Sequence, residues 1–163
     1  MKAVYIKNYG NSSHLNWGEV DDPSEKDDNI IVKIYSSSVN HLDIWVRKGI
    51  PGHSINDYFI LGSDASGEII YKGSNVKQYN IGDKVVIQPG IFNKKSKLYN
   101  TDKSHYCYSY GIIGETVNGA QCEYFSCLED NIFPMPKHLD YSEAASMPLV
   151  FMTAYQMLIE RAN

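Results

Sequence analysis

Cysteine is scarce in this chain of 163 residues: there are three, Cys107, Cys122 and Cys127, and no CxxC pair. An odd, sparse count excludes a disulfide framework. If Cys122 and Cys127 share a strand, a spacing of five puts them on opposite faces. Three reduced thiols with no common task are expected. A surplus of positive charge is also missing. Lys+Arg total 15 against Asp+Glu 19, a formal net charge of −4. That balance excludes general nucleic-acid binding. No apolar run approaches the roughly 18–20 residues of a membrane span. The first residues, Met1-Lys2-Ala3-Val4-Tyr5-Ile6, lack the long apolar stretch of a signal peptide. The expectation is a soluble cytoplasmic protein with no membrane partner. There is no internal repeat and no low-complexity tract.

What is present is a succession of short strands. Residues 3–7 and 15–19 read as brief strands around a polar turn at Gly10. Ile30-Ile31-Val32-Lys33-Ile34-Tyr35 is β-branched and predicts a strong strand. His41 to Arg47 reads as a short helix stopped by Gly49. Gly62 and Gly67 bracket Ser63-Asp64-Ala65-Ser66 and suggest close backbone approach. Further strands are expected at 68–71, 84–87 and 119–125, with 131–136 extended by its prolines. Residues 91–110 mix lysine, histidine and tyrosine without a period and read as a lobe, a long excursion of the functional kind. Asp140-Tyr141-Ser142-Glu143 has capping-box spacing. After Pro148, Met152, Tyr155 and Ile159 are expected on one helical face. The fold class is mainly β: an antiparallel, partly open barrel with a C-terminal helical segment.

Several stretches then fall in one order: Met1-Lys2-Ala3-Val4, Val39-Asn40-His41-Leu42-Asp43-Ile44-Trp45-Val46-Arg47-Lys48-Gly49, Ile60-Leu61-Gly62-Ser63-Asp64-Ala65-Ser66-Gly67, Ile81-Gly82-Asp83-Lys84-Val85, Gly119-Ala120-Gln121-Cys122-Glu123-Tyr124, and Ser142-Glu143-Ala144-Ala145 through Pro148 to Leu158. Together they resemble the N-terminal, GroES-like catalytic domain of medium-chain dehydrogenases/reductases. That family includes zinc alcohol dehydrogenases and quinone oxidoreductases. The resemblance implies a GroES-like substrate-side domain over 1–140, with 91–110 as a degenerate structural-zinc lobe. It also implies a helical segment over 141–163 leading to a Rossmann domain. The chain holds no G-x-G-x-x-G, so the Rossmann domain reads as absent and the chain as cut short. NADP or NAD is expected in a full-length parent, and none for the isolated chain, which is expected to be inactive.

The departures from the family pattern direct the chemistry. Where zinc members place their catalytic ligands, this chain has Asn40, Ser63 and Leu149. Where they place four structural-zinc cysteines, it has Asn93, Ser96, Tyr99 and Cys107. Zinc wants thiolate, imidazole or carboxylate, so no metal site is expected. Tyrosines could pack the lobe in place of the metal, and the lobe is expected to be mobile. Without a Lewis acid, an acceptor already activated by conjugation is favoured over a plain alcohol or ketone. The resemblance thus implies a zinc-independent NAD(P)H-dependent oxidoreductase acting on an activated carbonyl, quinone or enone.

The candidate catalytic residues are Asn40, Asp43, Ser63 and Asp64. Asn40 either donates to an acceptor carbonyl or caps the helix. Asp43 is an acid or a structural hub. Ser63 meets substrate or fills the vacated position. Asp64 is functional or salt-bridged, with Arg47 a possible partner. His41 and Thr153 are the cofactor-side candidates, Thr153 being otherwise an ordinary helical residue. The alternative is a truncated, non-catalytic domain that self-associates as a homo-oligomer, or captures a partner, through residues 148–160.

Overall fold

A computed structural model describes residues 1–99, 101 and 103–162. Ten short strands dominate it. They are β1 (Lys2–Ile6), β2 (Asn16–Glu19), β3 (Asn29–Ser37), β4 (Phe59–Ile60), β5 (Ala65–Lys72), β6 (Lys84–Ile87), β7 (Gly90–Ile91), β8 (Gly111–Ile112), β9 (Tyr124–Leu128) and β10 (Ile132–Pro134). Three helices accompany them: α1 (His41–Lys48), α2 (Tyr141–Ala145) and α3 (Pro148–Tyr155).

β3 is the spine. Its first four residues are buried and the next five alternate, as a strand does when it leaves a two-sided core for a one-sided one. It lies between β5 and β9 in an antiparallel sheet of order β10-β6-β5-β3-β9. Its register sets Val32 opposite both Ile69 and Phe125. Ile30, Val32, Ile69, Val85, Ile87 and Ile132 fill the centre; each such burial contributes roughly 1.5–3 kcal/mol. A second sheet, β2-β1-β4, closes against this one. Residues 121–123 join them: Val4 donates to the Gln121 carbonyl (2.8 Å) and Glu123 to that of Lys2 (3.0 Å). The result is a curled, partly open barrel, the architecture expected.

Gly67 shows why a glycine sits in β5: a Cβ there would fall on the Lys33 carbonyl oxygen of the neighbouring strand. α2 begins with the expected capping box, Glu143 N–H donating to Asp140 Oδ1 (2.8 Å) and Asp140 N–H to Glu143 Oε2 (3.0 Å). It lies on the sheet, where Ser66 Oγ donates to the Tyr141 carbonyl (2.6 Å).

Three expectations are corrected. Residues 119–123 are not a strand: they bridge β4, β1 and the Gly62 turn through single bonds, and β9 starts at Tyr124. Cys122 and Cys127 therefore do not alternate along one strand; both are buried in the main core. Burial pushes both thiols up to about 12. The terminal helix has no single apolar face. α3 gives way to a π-helical turn over Gln156–Arg161, and Val150 to Tyr155 are exposed all round.

Candidate functional site

The site grows from the end of β3. Asn40 is extended (φ −108, ψ 160) and forms the N-cap of α1. Three residues on, Asp43 is 4% exposed, and its two oxygens join two pieces of backbone. Oδ2 accepts the Asn40 N–H at 2.7 Å and Oδ1 the Gly62 N–H at 2.9 Å. Gly62 has φ +96, a conformation that a side chain disfavours. A Cβ there would also meet the Gln121 side chain at 2.5 Å. That turn brings Ser63 and Asp64 under α1.

Asp64 is 0% exposed and collects three donors, two from the connection between β3 and α1 and one from α3. Its Oδ2 accepts from Asn40 Nδ2 (2.9 Å) and Ser38 Oγ (3.4 Å). Its Oδ1 accepts from the backbone N–H of Leu149 (2.9 Å), in the first turn of α3. The positions Asn40, Ser63/Asp64 and Leu149, far apart in the chain, thus converge. Beside them Ser63 is also 0% exposed, and among the described residues its Oγ has no hydrogen-bond partner.

Among the described residues no cation balances the two acids. Arg47 donates instead to the Gly10 carbonyl (3.1 Å), so the ion pair considered for Asp64 is replaced by neutral donors. Burial pushes both carboxyls above the usual range. The Asn40 and Gly62 N–H groups oppose this at Asp43. Asn40, Leu149 and Ser38 oppose it at Asp64, while the Asp43 charge adds to it.

This donor set does not suit zinc. Asn40 turns N–H toward the carboxylate, Leu149 offers an N–H and an alkyl chain, and Asp64 has both oxygens engaged. Among the described residues no three His, Cys, Asp or Glu side chains converge to hold a metal. The lobe shows the same substitution of hydrogen bonds for a metal. Hydroxyls of Ser109 and Ser96, with backbone of Ser109 and Asn93, surround Cys107 and pull its thiol below the usual value. Tyr99 points away and donates to Asp130 Oδ2 (2.7 Å), where Lys94 also pairs (2.9 Å). These contacts tether the lobe to the barrel.

His41 and Thr153 lie outside the cluster. His41 is exposed at the start of α1, its ring 4.8 Å from that of Trp45. Thr153 lines a cleft of about 1000 Å³ between the lobe and α3, with Phe92, His105, Tyr110, Leu149 and Phe151. Leu149 therefore has its N–H in the buried cluster and borders the cleft. A second cavity of about 520 Å³ lies beside α1, between Trp17, Tyr35, Val39 and Arg47. Sequence reasoning missed Ser38 and the N–H of Leu149. The first looks like a strand terminator, and the second is backbone, which leaves no compositional signal.

The sequence profile of the alcohol dehydrogenase GroES-like domain matches residues 26–137. A crotonyl-CoA carboxylase/reductase of Cereibacter sphaeroides is 32% identical over 145 residues, 85% of this chain and 34% of that protein. A mitochondrial NAD(P)H oxidoreductase of Dictyostelium discoideum is 31% identical over 97% of this chain and 40% of its own length. The crystal structure of an NAD-dependent alcohol dehydrogenase superposes with a TM-score of 0.94 at 34% identity, over 99% of this chain and 47% of that one. The chain spans less than half the length of each.

Proposed function

Since this chain belongs to the alcohol dehydrogenase GroES-like domain family, we propose that it is the substrate-side part of an NAD(P)H-dependent oxidoreductase. Its acceptor is a quinone, an enone or a similarly activated carbonyl, and it works without zinc. The observation that carries this reading is the Asn40–Asp64–Leu149 junction. The positions that would hold a metal are tied together by N–H···O bonds. Relatives named as oxidoreductases with nicotinamide cofactors support the reaction class.

A nicotinamide held by a longer parent protein would supply the hydride, two electrons to the acceptor carbon. Everything else falls to residues of the chain. Negative charge grows on the acceptor oxygen. The second N–H of Asn40 is the group of this cluster able to meet it; the uncommitted hydroxyl of Ser63 is fully buried and would join only if the site opened. Water then delivers the proton that completes the reduction. Thr153, in the cleft, and His41, at the exposed start of α1, supply contacts on the cofactor side. They do not suffice to hold a dinucleotide. Its pyrophosphate wants a glycine-rich strand-to-helix turn, and none of the glycines at positive φ among the described residues opens a helix. The isolated chain is therefore inactive in this reading. The test is nitrogen-15 NMR with cyclohexenone as probe and cyclohexanone as control. Enone-specific shifts at Asn40 Nδ2 and Ser63 support the reading. Shifts confined to the Trp17–Arg47 cavity, or none at all, overturn it.

A second reading has its own observation. Phe151 is 64% and Leu158 68% exposed, with Tyr155 and Met157 beside them, and an apolar patch of that kind drives association. In this reading residues 148–160 dock a second copy or another protein. A mass in light scattering that stays monomeric up to high concentration counts against it.

A further inference from the structure

We propose that Asp64 is the positioning residue of this site: its carboxylate sets the orientation of the Asn40 amide and couples that amide to the first turn of α3. This deepens the reading above and rests on it only for naming Asn40 as the donor.

An ionised carboxylate only accepts. Every group facing Asp64 donates: Asn40 Nδ2, Ser38 Oγ and the Leu149 N–H. The Asn40 amide is therefore obliged to turn its NH2 inward, and one of its two N–H bonds is spent there. A single N–H is left to offer, in a direction that the Asp64 bond dictates. Asp64 is fully buried, so water cannot take its place. Asp43 cannot either, because its oxygens are held by the Asn40 and Gly62 backbone N–H groups.

The coupling comes from the other oxygen. Pro148 occupies the first position of α3, so the Leu149 N–H belongs to the helix start, where no intrahelical acceptor exists. Asp64 supplies that acceptor. A shift of α3 that lengthens the Leu149 bond moves the carboxylate, and Asn40 with it. The cleft that Leu149 borders thus communicates with the donor through one side chain.

The experiment uses the full 163-residue chain, labelled with nitrogen-15, and needs neither substrate nor cofactor. Failure of the proposal is therefore distinct from failure of the enone reading. In the unmodified protein, the Asn40 amide protons should exchange about tenfold or more slowly than those of exposed Asn11. That is the fold-change of one charge-assisted hydrogen bond. In Asp64→Asn, of the same shape, the Asn40 amide resonances should move and this protection should vanish, with Leu149 N–H exchange quickening similarly. An Asn40 amide that exchanges like Asn11 in the unmodified protein overturns the proposal. So does loss of Leu149 protection alone, which would make Asp64 a structural anchor only. Should Asp64→Asn not fold, Leu149→Pro removes one donor and leaves the carboxylate. The Asn40 amide resonances should then shift, and their staying in place overturns the coupling.

Discussion

Replacing Asp43 by alanine would strand two buried backbone donors, the N–H groups of Asn40 and Gly62. Each unsatisfied buried group costs about 1–3 kcal/mol, or roughly 2–6 kcal/mol for the pair. Removing the carboxylate recovers part of this, because burial disfavours its charged form and the two N–H groups oppose that only in part. A net loss of about 3 kcal/mol is expected, which for a chain of this length lowers Tm by about 6–12 °C. Urea unfolding at pH 7 checks it: with a slope near 2 kcal/mol per M, the midpoint should fall by about 1.5 M. The loss should also depend on pH. A carboxyl whose pKa is raised on folding binds more protons folded than unfolded. Its contribution to stability is therefore most favourable below the ordinary value of 3.8 and declines as pH rises through the raised value. The variant should accordingly lose less relative to the unmodified protein at neutral pH than at pH 4. A change in midpoint equivalent to less than about 0.5 kcal/mol, the usual range of a surface substitution, would refute the reasoning.

Other outcomes follow from the same contacts. Gly67→Ala should destabilise by several kcal/mol, as its Cβ would overlap backbone rather than a movable side chain; thermal melting reads this. Tyr99→Phe should quicken proteolytic nicking of the 91–110 lobe, because it removes the bond to Asp130; unchanged cleavage kinetics would count against the tether. A disulfide reagent at pH 8 should label Cys107 far ahead of Cys122 and Cys127, whose thiols burial holds near 12. Calorimetric titration with zinc should show no stoichiometric uptake, since the donors at Asn40, Ser63 and Leu149 do not suit that ion.

Much of the barrel is written in local signals. Helix α1 is marked by its Gly49 stop, α2 by its capping box, and β3 by its β-branched run. The segment 119–123 misleads because its groups are satisfied singly by three partners, a pattern that resembles strand in composition but not in pairing. The terminal helix misleads for another reason. An apolar sequence suggests a buried stripe, but residues 150–155 stay exposed beside the cleft and the π turn then breaks the period. At the site, Asn40, Ser63 and Asp64 were legible only through family resemblance. Their arrangement was not, because it depends on the positive φ at Gly62 and on a backbone N–H, and neither is written in any side chain.

The middle of the sheet also sets a timetable. β3 is flanked on one side by β9, and β1 by residues 121–123. On a ribosome moving at about 5–20 residues per second, Ile30 and Val32 would wait on the order of ten seconds for Cys127 and Phe125 to emerge. Over that interval β5 can already cover one edge of β3 while the other stays open, so the sheet closes only late in synthesis.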